Sequence, residues 1–320
     1  MSDPCVAKPK IAISACLMGA EVRYNGGHKE SRLCSRTLSE YFDFSPVCPE
    51  VAIGMGIPRE PIRLVGDPQR PEAIGTVNPA INVTEALAEY GEQMAAELND
   101  ICGYIFMQQS PSCGLERVKV YHANGAPVNG GGRGIYAQAF CARHPNLPVE
   151  EAGRLNDPVL RENFITRVFA YSAWQQLLAQ GLSRRALTEF HSRYKYLLMA
   201  HNPVQYKTLG KLLGNMAHSD PGEVGPRYFS ELMQALKKCA TRGTHSNVLQ
   251  HISGYLKQAI SAEDKQEMVH VIGQYRQGIV PLVVPLTLLK HHFRQHPDPY
   301  IAQQVYLQPH PENLSLRNAI

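Results

Sequence analysis

The sequence predicts an α/β domain with a mostly parallel, Rossmann-like sheet, followed by an all-α domain. Three observations support this fold class. Short apolar runs alternate with helical patterns over residues 1–150, as in strands joined by crossover helices. Nearly every regular pattern in residues 151–320 is helical. Between them, prolines and an Asp-Pro pair interrupt regular structure across residues 143–158, which indicates a domain boundary.

The first domain contains four strand candidates and two helical segments. Each strand candidate is a short apolar run bounded by polar or turn-forming residues. The helical segments are Ser31–Tyr41 and Asn82–Asn99, and the second has apolar residues every three to four positions. The strands are predicted at Lys10–Ser14, Phe42–Val47, Gly103–Met107 and Val118–Tyr121.

The second domain contains six helical candidates separated by joints rich in proline and glycine, including residues 218–225. Their apolar residues recur at the spacing of one helix face. The predicted helices are Phe164–Ala179, Ser183–Ala200, Tyr206–Met216, Pro226–Ala240, Val248–Tyr255 and Ala262–Gln277.

Composition excludes several classes of protein. The chain of 320 residues is 44% hydrophobic and 19% charged, which is incompatible with a disordered chain. No apolar run approaches the roughly 18 residues of a membrane-spanning helix, and residues 1–10 lack the apolar core of a signal peptide. We therefore expect a soluble, cytoplasmic protein with no membrane partner. Its eight cysteines are then free thiols, metal ligands or nucleophiles rather than a disulfide framework.

Charge is distributed unevenly along the chain. Residues 1–150 contain 13 Lys and Arg against 16 Asp and Glu, whereas residues 151–320 contain 19 against 12. A basic second half fits a nucleic-acid surface, and a solvated basic face is the alternative. Interleaved tyrosines could stack on an unpaired base, or pack in the core. The candidates are Arg184, Arg185, Arg193, Lys195, Lys207, Lys211, Lys237, Lys238, Arg242, Lys257, Tyr194, Tyr196 and Tyr206.

Cys16, Cys48 and Cys113 share one feature, because each follows a predicted strand. The carboxyl ends of parallel strands form the ligand crevice of an open sheet, so these thiols could converge there. Three cysteines suit an iron–sulfur cluster with one open iron, which could act as a Lewis acid. The alternative is three small buried side chains, since free cysteine is often buried. We assign that structural role to the other cysteines, which are Cys5, Cys34, Cys102, Cys141 and Cys239.

Proton-transferring groups flank two of these cysteines. Glu50 lies two residues after Cys48, and Ser110 and Ser112 precede Cys113. Two glycine-rich segments are further candidates. A turn at residues 22–28 and a loop at residues 129–134 could each contact a substrate or serve as ordinary connections. The candidate substrate-binding residues are Arg23, Tyr24, Asn25, His28 and Arg133 in these two segments, and Ser112 beside Cys113.

Four motifs in order, ACLMG, VRYNGGHK, CPEVAIGMGIPREPIRLV and SPSCG, resemble the thiouracil desulfidase family across residues 11–134. The second half resembles the YbgA-like domain through HSRYKYLLMAH, THSNVLQHISGYLK, GIVPLVVPLTLLKHH and LSLRN. The fused arrangement is similar to bacterial desulfidases that remove 4-thiouridine from tRNA.

The resemblance implies a 4Fe–4S cluster held by Cys16, Cys48 and Cys113, with one open iron that takes the thiocarbonyl sulfur. It also implies that Glu50 and Ser110 are catalytic and that Ser112 lies near them. The expected partner is tRNA containing 4-thiouridine, bound by the helical domain. The expected reaction is a non-redox, hydrolytic release of sulfide that leaves uridine.

Two other functions stay open at this point. The chain could act on free thiolated nucleobases, with the helical domain used for oligomerisation. It could instead be an RNA-binding redox sensor that carries the cluster without turnover. Replacement of Glu50 separates enzyme from sensor, because only an enzyme loses turnover while its cluster stays intact.

Overall fold

A computed structural model describes residues 8–216 and 219–318. The chain divides into two compact units, Met1–Asn156 and Asp157–Ile320. The sequence predicts a boundary region at residues 143–158 and domains of residues 1–150 and 151–320. The two units divide inside that region, after the last strand of the first unit, Val149–Glu151, which pairs with the sheet.

The described residues of the first unit form seven strands in two sheets. The larger sheet has the order β2-β1-β5-β7, and all of its pairings are parallel. This confirms the predicted α/β class with a mostly parallel sheet. The strands are β1 (Lys10–Ser14), β2 (Asp43–Val47), β3 (Ile62–Asp67), β4 (Arg70–Gly75), β5 (Gly103–Phe106), β6 (Val120–Tyr121) and β7 (Val149–Glu151).

The central strands form where the sequence has uninterrupted apolar runs. β5 is buried along its whole length, and so is β1 except at Lys10. A strand covered on both faces needs apolar side chains at every position, which is why these runs do not alternate. The predicted strand at residues 118–121 is shorter than expected, and it pairs with β3 in the second sheet.

The first unit differs from the prediction in two further places. The β3–β4 hairpin was not predicted; at its turn, Asp67 accepts a hydrogen bond from the backbone N–H of Gln69. Residues 31–41 do not form a continuous α-helix. They fold as a π-helical turn at Leu33–Thr37 and a 3₁₀ turn at Leu38–Glu40.

The helices of the first unit are short apart from α2, whereas those of the second unit form a bundle. This confirms the predicted helical second half. The helices are α1 (Pro49–Ala52), α2 (Thr84–Glu97), α3 (Ile135–Arg143), α4 (Pro158–Gln180), α5 (Arg184–His201), α6 (Pro203–Gly214), α7 (Pro221–Lys237), α8 (Arg242–Ser253), α9 (Ala262–Gln277), α10 (Val283–Gln295) and α11 (Pro299–Ala302).

The predicted joint at residues 218–225 is wrong in its second half. Asp220 caps α7 by accepting a hydrogen bond from the N–H of Gly222, and Pro221 occupies the first helical position. The helix therefore starts five residues before the predicted Pro226. The apolar run at residues 279–289 also continues into a helix, α10, that was not predicted.

The core of the second unit contains stacked aromatic rings among aliphatic side chains. Trp174 stacks on Phe229, and Phe190 stacks on Tyr194. Tyr194 and Tyr196 are buried, so of the two readings of these tyrosines the core reading is confirmed. Among the residues described, no helix is long and apolar enough to cross a membrane.

Candidate active site

A cavity of about 420 Å³ opens beside the carboxyl ends of β1, β2 and β5. Each of these strands is followed by one predicted cysteine. Cys16 lies in a 3₁₀ turn after β1, Cys48 precedes α1, and Cys113 lies in the loop after β5. All three side chains line the cavity, so the structure brings together residues that lie far apart in sequence.

The three thiols lie in a poorly hydrated setting. Burial raises the pKa of Cys113 to about 12. Burial and the neighbouring Cys48 raise that of Cys16 to about 11, and burial also raises the pKa of Cys48. Without a bound cation these thiols are protonated at neutral pH, whereas metal coordination converts them to thiolates.

The donor set fits an iron–sulfur cluster. Cysteine thiolates are the usual ligands of such clusters, and three on one cavity wall leave one iron of a cubane without a protein ligand. Within the described part of the chain, no three or more His, Cys, Asp or Glu side chains lie close enough together to hold a single metal ion. A cubane does not need that arrangement, because each thiolate binds a different iron.

Glu50 is held in the cavity by Arg59. The Arg59 Nε and Nη2 atoms donate to Glu50 Oε2 at 2.9 and 2.7 Å. Nη2 also donates to the Val22 carbonyl, and Nη1 donates to the Gly56 carbonyl. The Arg59 side chain is only 4% exposed. Arg59 therefore fixes both the carboxylate and the first residue of the 22–28 turn.

The other carboxylate oxygen of Glu50 faces a pair of serines. Ser112 Oγ donates to Glu50 Oε1 at 2.6 Å, and Ser110 Oγ lies 2.9 Å from Ser112 Oγ. Because a carboxylate only accepts, Ser112 donates to Glu50 and accepts from Ser110. Ser110 in turn accepts from the backbone N–H of Cys113 at 3.0 Å. The hydrogen bonds thus run from Ser110 to Ser112 and from Ser112 to Glu50.

Two glycines shape the cysteine-bearing loop by close backbone approach. A Cβ at Gly114 would lie 2.8 Å from the Ser110 carbonyl oxygen, and one at Gly134 would lie 2.9 Å from the Cys113 nitrogen. Gly134 N–H also donates to the Gly114 carbonyl. The 129–134 loop therefore packs against the loop that carries Ser110, Ser112 and Cys113.

The structure separates the candidate substrate-binding residues into two groups. Arg23 and Tyr24 line the cavity. Asn25 accepts from the N–H of Gly27, and His28 Nδ1 accepts from the N–H of Glu30, so both stabilise the turn outside the cavity lining. Arg133 donates to the Leu115 carbonyl at 2.9 Å and supports the cysteine loop from outside the cavity.

Sequence reasoning missed Arg59, Gln108 and Gln109, which all line the cavity. Arg59 stands inside a motif that was singled out, but its pairing with Glu50 depends on how residues 53–58 fold back. Gln109 has a φ of 58°, a left-handed backbone that few non-glycine residues adopt. The assignment of the remaining cysteines as structural is a prediction, and Cys5 lies outside the described residues.

Comparison with known proteins places each half of the chain. Residues 11–152 match the family model of 2-thiouracil desulfurase, and residues 195–311 match DUF1722, a family of unknown function. The uncharacterized protein YbgA of Escherichia coli strain K12 is 30% identical over 159 residues, which cover 49% of this chain and 94% of YbgA. The uncharacterized protein YbbK of Bacillus subtilis strain 168 is 30% identical over 128 residues, which cover 38% of this chain and 84% of YbbK.

Among solved structures, the 4Fe–4S-dependent thiouracil desulfidase TudS is similar to this chain. The alignment has 27% sequence identity and a TM-score of 0.36, and it covers 47% of this chain and 95% of TudS. The two family matches confirm the resemblances expected from the motifs. The chain therefore belongs to the 2-thiouracil desulfurase family through its first half and to the DUF1722 family through its second.

Proposed function

We propose that the protein is a 4Fe–4S-dependent desulfidase that converts 4-thiouridine in tRNA to uridine. One observation carries the proposal. Three cysteines, of which Cys16 and Cys113 are buried and Cys48 is half-buried, line the same cavity as a hydrogen-bonded chain of two serines and a glutamate. Membership of the 2-thiouracil desulfurase family supports the removal of sulfur from a pyrimidine ring.

The cysteines would hold the cluster and leave one iron open. When bound, the cluster supplies a Lewis acid that polarises the thiocarbonyl group without any net redox change. The cavity walls exclude bulk water on the cysteine side, since Cys113 and Ser112 are almost fully buried. The site thus orients the substrate sulfur toward the three cysteines.

The chain's own residues move the proton. A water molecule at Ser110 can pass a proton through the Ser110 and Ser112 hydroxyls to Glu50 Oε1 as its oxygen attacks C4 of the ring. Arg59 occupies Oε2, so the proton arrives at Oε1. Ser112, which the sequence predicts as a substrate-binding residue, is therefore the direct hydrogen-bond partner of Glu50.

The reaction balances with water as the sole co-reactant. One C–O double bond forms and one C–S double bond breaks, so that thiocarbonyl and water give carbonyl and hydrogen sulfide. No electron is gained or lost. Glu50 returns its proton along the same serines to the departing sulfur, and the second proton of the water leaves the C4 hydroxyl for that sulfur as the carbonyl forms.

Charge supports RNA as the carrier of the substrate. Residues 151–320 have a net excess of seven basic residues, and phosphate contacts dominate the affinity of proteins for RNA. The cavity of about 420 Å³ has room for a single base, so the thiolated base would leave its stack to enter it.

A second candidate substrate is a free thiolated pyrimidine. The name of the matching family, 2-thiouracil desulfurase, favours it. A free base would enter the same cavity and meet the same residues, and it would need no basic second unit.

The test is an anaerobic assay with both substrates. Protein reconstituted with iron and sulfide is incubated with thiolated tRNA or with free thiouracil, and released sulfide is measured with the loss of thiocarbonyl absorbance. At equal, low substrate concentrations, we expect sulfide to be released faster from thiolated tRNA than from free thiouracil. Release from thiouracil alone would replace tRNA with the free base, and a full cluster with no release from either would contradict the enzyme.

A further inference from the structure

The second unit contains a cavity of its own, of about 580 Å³. It lies between α10, α11 and the segment that follows them to residue 318. Its volume falls within the roughly 300–1,000 Å³ of typical small-molecule sites. One wall is apolar and consists of Leu286, Phe293, Ile301 and Leu316. This cavity belongs to the part of the chain whose family has no known function.

A buried arginine lines this cavity. Arg317 has a side chain that is 8% exposed, and its Nε donates to Glu162 Oε1 at 2.9 Å. Its Nη1 donates to the Tyr306 carbonyl at 2.7 Å. Nη2 donates to no group among residues 8–216 and 219–318. Because two of its nitrogens are fixed, the third is a pre-oriented donor.

The charge of Arg317 is already compensated. Although burial opposes ionisation of Glu162, the neighbouring His310 and Arg317 lower the pKa of that carboxyl to about 2. Glu162 is therefore ionised at neutral pH, and the pair is neutral as a whole. A neutral pair with a spare N–H suits a carbonyl oxygen of a ligand better than it suits a phosphate.

Two side-chain amides add complementary groups. Gln308 and Asn318 line the cavity, and their amides make no hydrogen bond to the described residues. An amide presents both a donor and an acceptor. The imide edge of a uracil ring, with one N–H between two carbonyls, matches such groups together with the Arg317 donor.

One cation at the edge of the cavity is unpaired. Lys290 lines the cavity but forms an ion pair with Glu312. Arg294, which is exposed and also lines the cavity, forms no ion pair with any described residue. An unpaired arginine favours a phosphate, which it can bind with two hydrogen bonds.

We propose that this second cavity binds a uridine nucleotide. The ring lies against the apolar wall, a ring carbonyl accepts from Arg317 Nη2, and the phosphate pairs with Arg294. The inference deepens the proposed function and rests on it for the choice of uridine among pyrimidines. The nucleotide is either free uridine 5′-monophosphate or an unpaired nucleotide of the RNA substrate.

The test measures binding by calorimetry on the full chain without a cluster, so desulfidase activity plays no part in its outcome. Uridine 5′-monophosphate, uridine and inorganic phosphate are titrated separately. We expect the nucleotide to bind at least about ten-fold more tightly than uridine, because its phosphate adds a charge-assisted hydrogen bond to Arg294. Inorganic phosphate alone should not bind measurably. No binding of nucleotide or nucleoside at millimolar concentration would overturn the site.

Variants locate the binding. Arg294→Ala should weaken nucleotide binding about ten-fold and leave uridine binding unchanged. Arg276→Ala, on the exposed part of α9 and outside the cavity lining, removes the same charge and should change neither. Thr287→Trp fills the exposed edge of the cavity and should abolish both. Equal effects of the two arginine variants, or normal binding by Thr287→Trp, would contradict the assignment.

A competition experiment distinguishes the two sources of the nucleotide. Oligouridine RNA is bound first, and uridine 5′-monophosphate is then added. Displacement of the RNA identifies the RNA nucleotide as the ligand, whereas undisturbed RNA with separate nucleotide binding identifies the free nucleotide. Displacement by a medium-chain fatty acid, without nucleotide binding, would show that the cavity accepts apolar anions instead and would overturn the proposal.

Discussion

Each unit of the molecule buries one Arg–Glu pair, and the two pairs differ in which partner has a group to spare. Arg59 is 4% exposed and Glu50 15%, while Arg317 is 8% exposed and Glu162 22%. All three nitrogens of Arg59 donate hydrogen bonds, which leaves Glu50 Oε1 for Ser112. In the second pair the arginine has the spare donor.

The role of a buried ion pair therefore depends on which partner has an atom left for a further hydrogen bond, and not on the ion pair alone. A pair whose carboxylate has a free oxygen beside hydroxyls can accept a proton, so the first pair suits catalysis. A pair whose guanidinium has a free N–H beside a cavity can hold a ligand, so the second suits binding. Both also cost stability when broken, because each would leave a buried charge alone.

Replacing the carboxylate of the first pair should give the largest effect. In Glu50→Gln the side chain no longer accepts a proton, so we expect turnover to fall by about 10²- to 10⁴-fold. Iron content should stay at the wild-type level, because the three cysteines are unchanged. Glu85→Gln, an exposed change on α2, is the matched control. Full activity of Glu50→Gln would show that another group accepts the proton.

Acid should destabilise the second unit in two stages. Burial lowers the pKa of His245 to about 3 and that of His191 to about 4, from 6.5. The unfolded chain therefore binds more protons than the folded one as pH falls below 6.5, and stability decreases. A second decrease begins below about pH 4.5, where unfolded Glu162 takes up a proton but the folded carboxyl, with its pKa of about 2, does not.

Denaturant unfolding between pH 3 and 8 measures both stages. Glu162→Gln should cost about 3–5 kcal/mol at pH 7 by leaving Arg317 unpaired, and it should flatten only the stage below pH 4.5. His245→Asn should flatten the upper stage instead. A stability profile that is level from pH 7 to 5 would contradict the burial of neutral histidines.

Replacing the arginine of the first pair tests positioning. A lysine at position 59 keeps the charge but cannot hold Glu50 and the Val22 carbonyl together, so we expect Arg59→Lys to lower kcat about ten-fold. KM should rise too, because Val22, the first residue of the 22–28 turn, is no longer fixed by Arg59. Arg63→Lys in β3 is the control. An unchanged kcat would mean that Ser112 alone orients Glu50.

The smallest expected effect concerns the basic surface of the second unit. Lys207, Lys211 and Arg193 are exposed, and their combined replacement by alanine should reduce the salt dependence of tRNA binding. The slope of log K against log salt should decrease by about two to three units. A triple variant of Arg32, Arg36 and Lys119 in the first unit removes equal charge. Equal loss in both variants would contradict a dedicated RNA surface.

Part of the candidate site was predictable because the carboxyl ends of parallel strands meet at one edge of a sheet. Cys16 and Cys48 lie two and one residues after the neighbouring parallel strands β1 and β2, so knowing the strands was enough to bring them to that edge. Arg59 was not predictable, because its pairing with Glu50 depends on the path of the intervening loop. The role of Gly134 was also hidden, since a glycine-rich segment can approach a ligand or its own protein backbone.

In the second unit, the sequence pattern predicted helices but not the cavity or the buried ion pair. Helical periodicity predicted α9 at its observed bounds. The segment after α11 contains only 3₁₀ turns, at Val305–Leu307, Glu312–Leu314 and Leu316–Asn318. Such short turns have no periodicity to detect, and so neither the second cavity nor the Arg317–Glu162 pair could be predicted.

The most direct test of the account is the iron content of single-cysteine variants reconstituted without oxygen. We expect about four irons per chain in the unaltered protein. We expect loss of the cluster in Cys16→Ser, Cys48→Ser and Cys113→Ser. The cluster should stay full in Cys34→Ser, which alters a buried cysteine outside the cavity lining. A full, stable cluster in any of the first three variants would contradict the three-cysteine site.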